Sequence, residues 1–262
     1  MSKVPAAEQT LAVLRYVARQ AGPVPAATIS RDLGLPRSTV YHLLTVMIDN
    51  GFLVHLPEEC RYGLGVAAFE VGSAYSRQAP LARLARPLLA RLVDAVGHST
   101  HLSVLHGRDV LYVGEERAPG RPSLVTDVGV RLPAHLTASG RAVLADLPPA
   151  QVRALFPDQA AFSERTGLGP TRLSELRTVL IDVRRRGYAT EDGEVTSGLA
   201  SVASAAYDHT GRPVAGVAVT FPADAVPPDP PAGRRRLADA VRTCAAELTS
   251  RIGGRPPPRP TP

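Results

Sequence analysis

The 262-residue sequence predicts an α+β protein, with a small helical part at the N-terminus and a larger part in which helices flank an antiparallel sheet. Two observations predict this class. In the first 50 residues, apolar positions recur with the period of an α-helix. Beyond residue 80, amphipathic helical stretches alternate with paired apolar runs that are joined by short polar turns, as in β-hairpins.

The N-terminal part is predicted to hold a helix over residues 8–20 and then two helices joined by a tight turn. The first of the pair covers 27–33 and ends at Gly34, where a left-handed C-terminal cap is expected. Pro36 suits the first turn of the second helix. The buried stripe of that helix consists of Val40, Leu43, Leu44 and Met47. Two helices joined by a turn that contains glycine form a helix-turn-helix.

The second helix of the pair turns a small, polar face away from its buried stripe. A helix that enters the major groove of DNA needs short polar side chains at the base edges and a cation near the phosphates, and this face meets both needs. After Gly51, two short strands around a Pro-Glu-Glu-Cys turn form a hairpin, or wing. Two packed helices also occur in α domains that bind no DNA, but the wing and the polar face favour DNA binding. The predicted DNA-contacting residues are Arg31, Arg37, Ser38, Thr39, Tyr41, His42, Thr45 and Arg61.

The charge distribution gives weaker support. The net charge is +6, but the first 65 residues hold six Lys/Arg against five Asp/Glu, so placement of single arginines and doubling in a dimer must supply a basic footprint. No apolar run approaches the roughly 20 residues of a membrane span, and the N-terminus lacks the apolar core of a signal peptide. Cys60 and Cys244 offer no disulfide framework, so we expect a soluble, cytoplasmic protein with free thiols.

A helical stretch over residues 64–78 connects the two parts. Its Phe69, Val71 and Tyr75 are more apolar than a solvated linker requires, so it packs either against a second subunit or within its own chain. The elements predicted beyond it are a helix at 80–97, a hairpin at 99–116, extended segments at 122–136, helices at 137–147, 148–156 and 171–186, a second hairpin at 199–221 and a terminal helix at 234–252. The proline-rich residues that follow predict a disordered tail.

Several segments are specific as a set, through their order and spacing. They are QTLAVLRYVA, LGLPRSTVYHLL, YGLG, LARPLLARL, THLSVLHGRDVLYV, LPAHLTASGRAVLA, LRTVLIDVRRRGYATEDGE and GLASVASAAYDHTGRPVAGVAVTF. Through them the chain resembles the IclR family of bacterial transcription regulators over residues 8–225. The domains then expected are a winged helix-turn-helix DNA-binding domain at 8–65, a linker helix at 66–79, an effector-binding domain of GAF-like topology at 80–252 and the disordered tail at 253–262.

The resemblance also implies a function. Regulators of this family form homodimers, often paired into homotetramers, on palindromic operators in double-stranded DNA. A small-molecule effector bound in the C-terminal domain changes their affinity for the operator. We therefore expect a DNA-binding regulator, in the first place a repressor, that has no cofactor, metal site or enzymatic activity and no membrane segment. The alternative is a constitutive DNA-binding regulator whose C-terminal domain only oligomerises.

The resemblance implies an effector site as well. Members of the family that bind small carboxylates use an acid, a cysteine and two serines. The matching positions here, together with the loop that precedes the helix TASGRAVLA, are Glu191, Ser201, Ala218, Thr220, Thr137, Ser139 and Gly140. The acid is longer here, a hydroxyl replaces the thiol and one hydroxyl is lost, so a glyoxylate-like or pyruvate-like ligand does not transfer. His42 likewise stands where the family commonly has arginine.

Three other groups of residues predict no site of their own. We expect His98, His101 and His106 to be surface and turn histidines, because their spacing and surroundings do not suit a metal. The acids at 115–116, 191–192 and 194 lack the nucleophile that a hydrolase would need and are expected to be solvated. The arginines at 184–186 end a helix, where they complement its dipole, and a second nucleic-acid patch at 184–186 or 234–236 is the lesser alternative.

Overall fold

The computed structural model describes residues 4–78, 80–119, 127–226 and 233–257. The chain divides into two compact units, residues 1–78 and 79–262. The first is a winged helix-turn-helix and the second is an antiparallel sheet flanked by helices, so the predicted α+β class is confirmed. Within the described ranges, no helix combines the length and the apolar content that crossing a bilayer requires.

The first unit is built on a small apolar core. Its elements are α1 (Pro5–Ala18), α2 (Ala26–Leu33), α3 (Arg37–Asp49), β1 (Leu53–Leu56), β2 (Arg61–Leu64) and α4 (Val66–Gln78). Gly34 ends α2 with φ of +64°, as its position predicted, because a residue without Cβ adopts this conformation at little cost. The predicted stripe of α3 is buried at Val40, Leu44 and Met47, while Leu43 is half-buried.

The wing has an additional strand contact that sequence patterns did not predict. Strands β1 and β2 pair antiparallel, from Leu53 opposite Leu64 to Leu56 opposite Arg61. Val24, in a segment expected to be a loop, exchanges two backbone hydrogen bonds with Tyr62 at N···O distances of 3.0 and 2.8 Å. The chain between α1 and α2 is thereby fixed to the wing.

The second unit contains one six-stranded antiparallel sheet in the order β5-β4-β3-β8-β7-β6. Its strands are β3 (Ser99–His106), β4 (Asp109–Glu116), β5 (Arg131–Pro133), β6 (Ala189–Asp192), β7 (Leu199–Tyr207) and β8 (Pro213–Pro222). Its helices are α5 (Pro80–Val96), α6 (Ala138–Ala145), α7 (Pro149–Leu155), α8 (Leu173–Arg186) and α9 (Arg234–Arg251).

Helices cover both faces of this sheet. On β8, Val217, Val219 and Phe221 belong to the apolar cluster with α5 and α9, whereas Ala218 belongs to the cluster with α6 and α8. Because successive side chains of a strand alternate between faces, a central strand covered on both sides is apolar almost throughout. Helix α6 is buried at all of its residues, since it lies between the sheet and α8. The face of the sheet that α6 covers carries mainly small side chains, which lets this helix approach the sheet closely.

The structure differs from two of the expectations. His98 and His101 are buried, so the interpretation of these residues as surface histidines is wrong; His106 is exposed as expected. The tail expected to be disordered from residue 253 is placed through 257, where the Gly254 N–H donates to Thr249 O (2.7 Å) and the Arg255 N–H to Asp208 O (3.1 Å). Residue 79 of the predicted linker, 122–126 of the predicted extended segments and 258–262 of the tail lie outside the described residues.

Candidate functional site

The polar face of α3 is exposed, as the helical phasing predicted. Ser38, His42 and Thr45 are exposed, Tyr41 on the flank is 52% exposed, and Thr39 is half-buried. The buried stripe beneath these residues fixes the rotation of α3 within the first unit. This face is therefore held in position without using any of its polar side chains for packing.

Three arginines are among the predicted DNA-contacting residues, and they differ in their contacts. Arg37 begins α3 and is exposed, with no acidic side chain of the described residues at ion-pair distance. Arg31 places its Nε 2.8 Å from Asp32 Oδ1, and Arg61 in the wing donates from Nη1 to Pro23 O at 3.0 Å. Arg37 is thus the most available of the three cations for a new contact. Arg31 and Arg61 would each first have to break the exposed contact described above.

The second unit contains a polar pocket between α6, the sheet and the β6–β7 loop. It is lined by Tyr112, Thr137, Ala138, Ser139, Glu191, Val195, Thr196, Leu199, Ser201, Ala218 and Thr220. The space that the centre of a water molecule can reach inside it is about 20 Å³, enough for one or two waters. Of the residues predicted for the effector site, all except Gly140 line it.

Three of the lining residues, Glu191, Ser201 and Thr220, belong to a row of polar side chains across four strands. Glu191 on β6 lies opposite Ser201 on β7, which lies opposite Thr220 on β8, which in turn lies opposite Ser99 on β3. Ser201 Oγ donates to Glu191 Oε1 at 2.8 Å and lies 3.0 Å from Thr220 Oγ1. Ser99 Oγ accepts from the backbone N–H of Ala118 at 3.2 Å. Strand register, and not sequence distance, brings these groups together.

Glu191 is the electrostatic centre of the pocket. It is 4% exposed, and burial raises its pKa to about 7, with a smaller opposing effect of the Ser201 hydrogen bond. Its Oε2 atom is buried and makes no hydrogen bond of ordinary geometry within the described residues, although the nearby Val195 N–H lowers the pKa slightly. The pocket therefore contains a carboxyl group whose second oxygen lacks a strong donor.

The N-terminus of α6 forms the opposite wall. Thr137 caps it, accepting from the Gly140 N–H at 3.1 Å, and Ala138 and Ser139 line the pocket in the first turn. A Cβ at Gly140 would lie 2.3 Å from Ala134 O, so this glycine permits the close approach of two backbone segments and does not face the pocket. The first backbone N–H groups of a helix have no acceptor within it, which makes this wall a hydrogen-bond donor.

A buried arginine holds the loop between β6 and β7 over the pocket. Arg141 on α6 is 3% exposed, and its three nitrogens are all engaged. Nε donates to His135 O (2.8 Å), Nη1 to Thr190 O (2.8 Å) and Nη2 to Glu194 Oε1 (2.9 Å). Sequence analysis missed Arg141, although an arginine within an otherwise apolar helical stretch indicates a buried charge that needs a partner.

The remaining groups form no second site within the described residues. No cluster of three metal-ligating side chains occurs there. The expectation that these acids are solvated is wrong for Glu191, which is buried. The others are ion-paired: Glu115 with Arg117, Glu116 with Arg86, Asp192 with Arg234 and Glu194 with Arg141. Glu191 makes no ion pair in the part of the chain that the structure describes. The arginines at 184–186 are exposed in the last turn of α8, where they complement the helix dipole.

Comparisons with known proteins bear on both units. A family model described as "Bacterial transcriptional regulator IclR C-terminal" matches residues 73–250, and one described as "IclR helix-turn-helix domain" matches residues 6–57. The chain is 28% identical over 257 residues to the HTH-type transcriptional repressor AllR of Klebsiella pneumoniae. This match covers 96% of this chain and 91% of that protein. It is 29% identical over 248 residues to the acetate operon repressor of Salmonella typhimurium, with 93% and 88% covered.

A solved structure extends the comparison to the fold. The crystal structure of an IclR transcriptional regulator from Alicyclobacillus acidocaldarius matches with a TM-score of 0.82 over 96% of this chain and 100% of that chain. The two sequences are 21% identical, so this match concerns the fold alone.

Proposed function

The chain belongs to the IclR family of bacterial transcriptional regulators, and from this we propose that it is a repressor whose affinity for a palindromic DNA operator is changed by a small molecule bound in its second unit. The observation that carries the proposal is the exposed polar face of α3, with Arg37 at the start of the helix. The printed names of the relatives, both of them repressors, support the sign of regulation.

The DNA contacts follow from the position of each side chain. Arg37 is proposed to contact a phosphate or a guanine, which arginine can bind through two hydrogen bonds. The remaining residues of the interface are proposed to supply base or phosphate contacts from α3 and phosphate contacts from α2 and the wing: Ser38, Thr39, Tyr41, His42 and Thr45, with Arg31 and Arg61. His42 provides a weaker and pH-dependent contact where the family commonly has arginine.

Assembly into a homodimer or homotetramer is part of the proposal. Phe69 on α4 is 74% exposed, and Val66 and Val71 on the same helix are also exposed. Val66 and Phe69 are three residues apart and share a face of the helix, so packing against a second copy would cover them together. A dimer would place two copies of α3 on half-sites roughly one helical turn of DNA apart, which a palindromic operator requires.

Ligand control is proposed to work by linkage between the two sites. A small molecule that binds one assembly state better than another shifts the population of the state that fits the operator. A coupling free energy of about 1–3 kcal/mol would change operator affinity roughly 5-fold to 150-fold. The polar pocket between α6 and the sheet supports this role, because it holds a buried carboxyl group with one oxygen that lacks a strong donor and is bordered by the first turn of α6.

The direct test uses the duplex that the purified protein recovers from the genomic DNA of its host. We expect Arg37→Ala and Tyr41→Ala to weaken binding to this duplex at least tenfold in a gel-shift series. Arg153→Ala, an exposed arginine on α7, removes the same charge elsewhere and should bind as the parent does. Parental affinity in both α3 variants would show that α3 does not read the operator.

The second candidate is a constitutive DNA-binding regulator whose second unit only oligomerises. The small volume of the pocket favours it, since about 20 Å³ is filled by water alone. A thermal-shift screen of metabolites separates the two candidates, because a ligand of the folded state raises the unfolding midpoint. For a constitutive regulator, no metabolite would raise the unfolding midpoint, and no metabolite would change the operator affinity.

A further inference from the structure

The pocket in the second unit differs from an ordinary anion site in its charge. No lining side chain among the described residues is cationic. The nearest buried cation is Arg141, and its three nitrogens are engaged with Glu194 and two backbone carbonyls. The lining instead includes Glu191, several hydroxyl groups and apolar side chains.

One oxygen of Glu191 lacks a strong hydrogen-bond donor from the described part of the protein. Ser201 satisfies Oε1, whereas Oε2 is buried without a hydrogen bond of ordinary geometry in the described part of the chain. Set against the ionised form of this group, a ligand carboxylate would bring two acceptors together in a place that water barely reaches, and both would lose hydration. A ligand N–H or ammonium group would pair with it and restore the missing hydrogen bond.

The charged groups around Glu191 do not replace that donor. Glu194, on the β6–β7 loop, adds a second negative charge, and Arg141 on α6 only partly offsets it. Tyr112 faces Glu191 from β4, and burial raises the pKa of its phenol to about 12, so it stays neutral. The carboxyl group therefore has no cation of its own from any of these elements.

The opposite wall has the complementary preference. Ala138 and Ser139 present the first N–H groups of α6, and Thr137 already satisfies the next one, at Gly140. The positive end of the helix dipole also lies there, so a carboxylate or carbonyl oxygen is favoured on this side. The pocket thus offers an acceptor on the sheet side and donors on the helix side, separated by little space.

We propose that this pocket binds small α-amino acids, with the ammonium group at Glu191 and the carboxylate at the N-terminus of α6. An α-amino acid has both groups on one carbon, so one small molecule of this class can pair with both walls. The inference rests on the sensor role proposed above and adds the chemical class of the ligand. Glu191 acts as the determinant of specificity, because it distinguishes an amino group from the hydroxyl or keto oxygen of an otherwise similar acid.

The first test compares matched ligands on the parent protein by isothermal titration calorimetry at pH 8, where Glu191 is mostly ionised. The pairs are glycine with glycolate and L-alanine with L-lactate, and pyruvate completes the second pair. The amino acid is expected to bind at least tenfold more tightly than its hydroxy or keto counterpart. Equal or tighter binding of the hydroxy or keto acids, or no binding by any of the five compounds, would overturn the proposed ligand class.

The second test assigns this preference to Glu191. Glu191→Gln should weaken L-alanine binding at least tenfold and change L-lactate binding less than threefold. Glu116→Gln, which breaks an exposed pair with Arg86 at the end of β4, is the matched control and should keep the parental preference. Loss of affinity for both ligands together would contradict the role given to Glu191. If Glu191→Gln does not fold, the ligand pairs on the parent protein decide the question alone.

The two proposals fail in different ways. Binding of the hydroxy or keto acids, with a change in operator affinity, would leave the sensor role standing and remove only the amino-acid ligand. Failure of every metabolite in the thermal-shift screen to raise the unfolding midpoint would remove the sensor role, and the amino-acid ligand with it. Tight L-alanine binding without any change in operator affinity would support the ligand class and contradict its regulatory use.

Discussion

The two candidate sites use polar side chains in opposite ways. On α3, Ser38 and Arg37 are exposed to solvent. In the pocket, Glu191, Ser201 and Arg141 are buried and depend on one another or on the backbone. An exposed polar group can be altered with little effect on stability, whereas loss of one buried partner leaves another unsatisfied. The first site is therefore open to change in specificity, and the second is constrained by the fold.

The largest expected effect is on the buried arginine. Arg141→Ala leaves the Glu194 carboxylate and two backbone carbonyls without their donor, and removing one partner of a buried pair typically costs about 3–5 kcal/mol. We expect a loss of this size in the free energy of unfolding of the second unit, measured by urea denaturation. Arg153→Ala, on the exposed side of α7, should stay within about 0.5 kcal/mol of the parent. Similar losses in both variants would contradict the difference proposed between buried and exposed polar side chains.

The next effect is the pH dependence that Glu191 creates. Its pKa is raised from 4.5 to about 7 by burial in the folded chain. An acid whose pKa is raised in the folded chain stabilises the fold while it is protonated. This contribution is complete below the pKa that the acid has in the unfolded chain, and it is lost as the pH rises through the pKa in the folded chain. Without ligand, this group should reduce the free energy of unfolding by on the order of 3 kcal/mol between pH 4.5 and pH 8. Glu191→Gln should lack this part of the pH dependence, and parallel curves for variant and parent would contradict it.

A matched pair of serine substitutions compares the two sites most directly. Ser201→Ala removes the donor to Glu191 Oε1, so we expect a loss of about 1–3 kcal/mol in the free energy of unfolding. Ser38→Ala makes the same chemical change on the exposed face of α3 and should cost less than about 0.5 kcal/mol. Both values come from chemical denaturation of the full chain. A larger loss for Ser38→Ala would mean that the α3 face has a structural role.

The smallest effect on stability is expected at Arg37, where the readout is DNA binding. If Arg37 contacts a phosphate, Arg37→Ala should reduce the slope of log affinity against log salt concentration by about 1, because one fewer counterion is released. Its unfolding midpoint should match that of the parent. An unchanged slope together with weaker binding would favour a base contact, which loses affinity without altering counterion release.

Sequence reasoning predicted the local features of the first unit well. The buried stripe of α3, the cap at Gly34 and the wing depend on helical period and turn chemistry within a few residues, and the structure has each of them. The contact between Val24 and Tyr62 joins segments that are 38 positions apart, as does the hydrogen bond from Arg61 to Pro23 O, and no local pattern predicts either. Short polar segments of this kind take their structure from distant partners.

The pocket could be predicted only through the family resemblance. Residues on four strands converge through antiparallel register, so Ser99 and Tyr112 were not recognised as part of this region. Gly140 was assigned to the site because it begins the right helix, but its lack of a side chain serves the contact with Ala134. The burial of His101 could not be predicted either, because spacing alone does not distinguish a histidine in a strand covered on both faces from a surface histidine.

The backbone contacts at the start of α4 bear on how a signal could reach the operator. The Ala67 N–H donates to Gly51 O at the end of α3, and the Gly65 N–H donates to Phe52 O, while Val24 locks the wing to the α1–α2 connection. These hydrogen bonds join α4 to the end of α3 and the wing to the α1–α2 connection, so the elements of the first unit hold one another in place. If α3 enters the groove as proposed, a tilt of α4 would rotate the first unit as one body, and even a modest rotation would misalign α3 with the DNA.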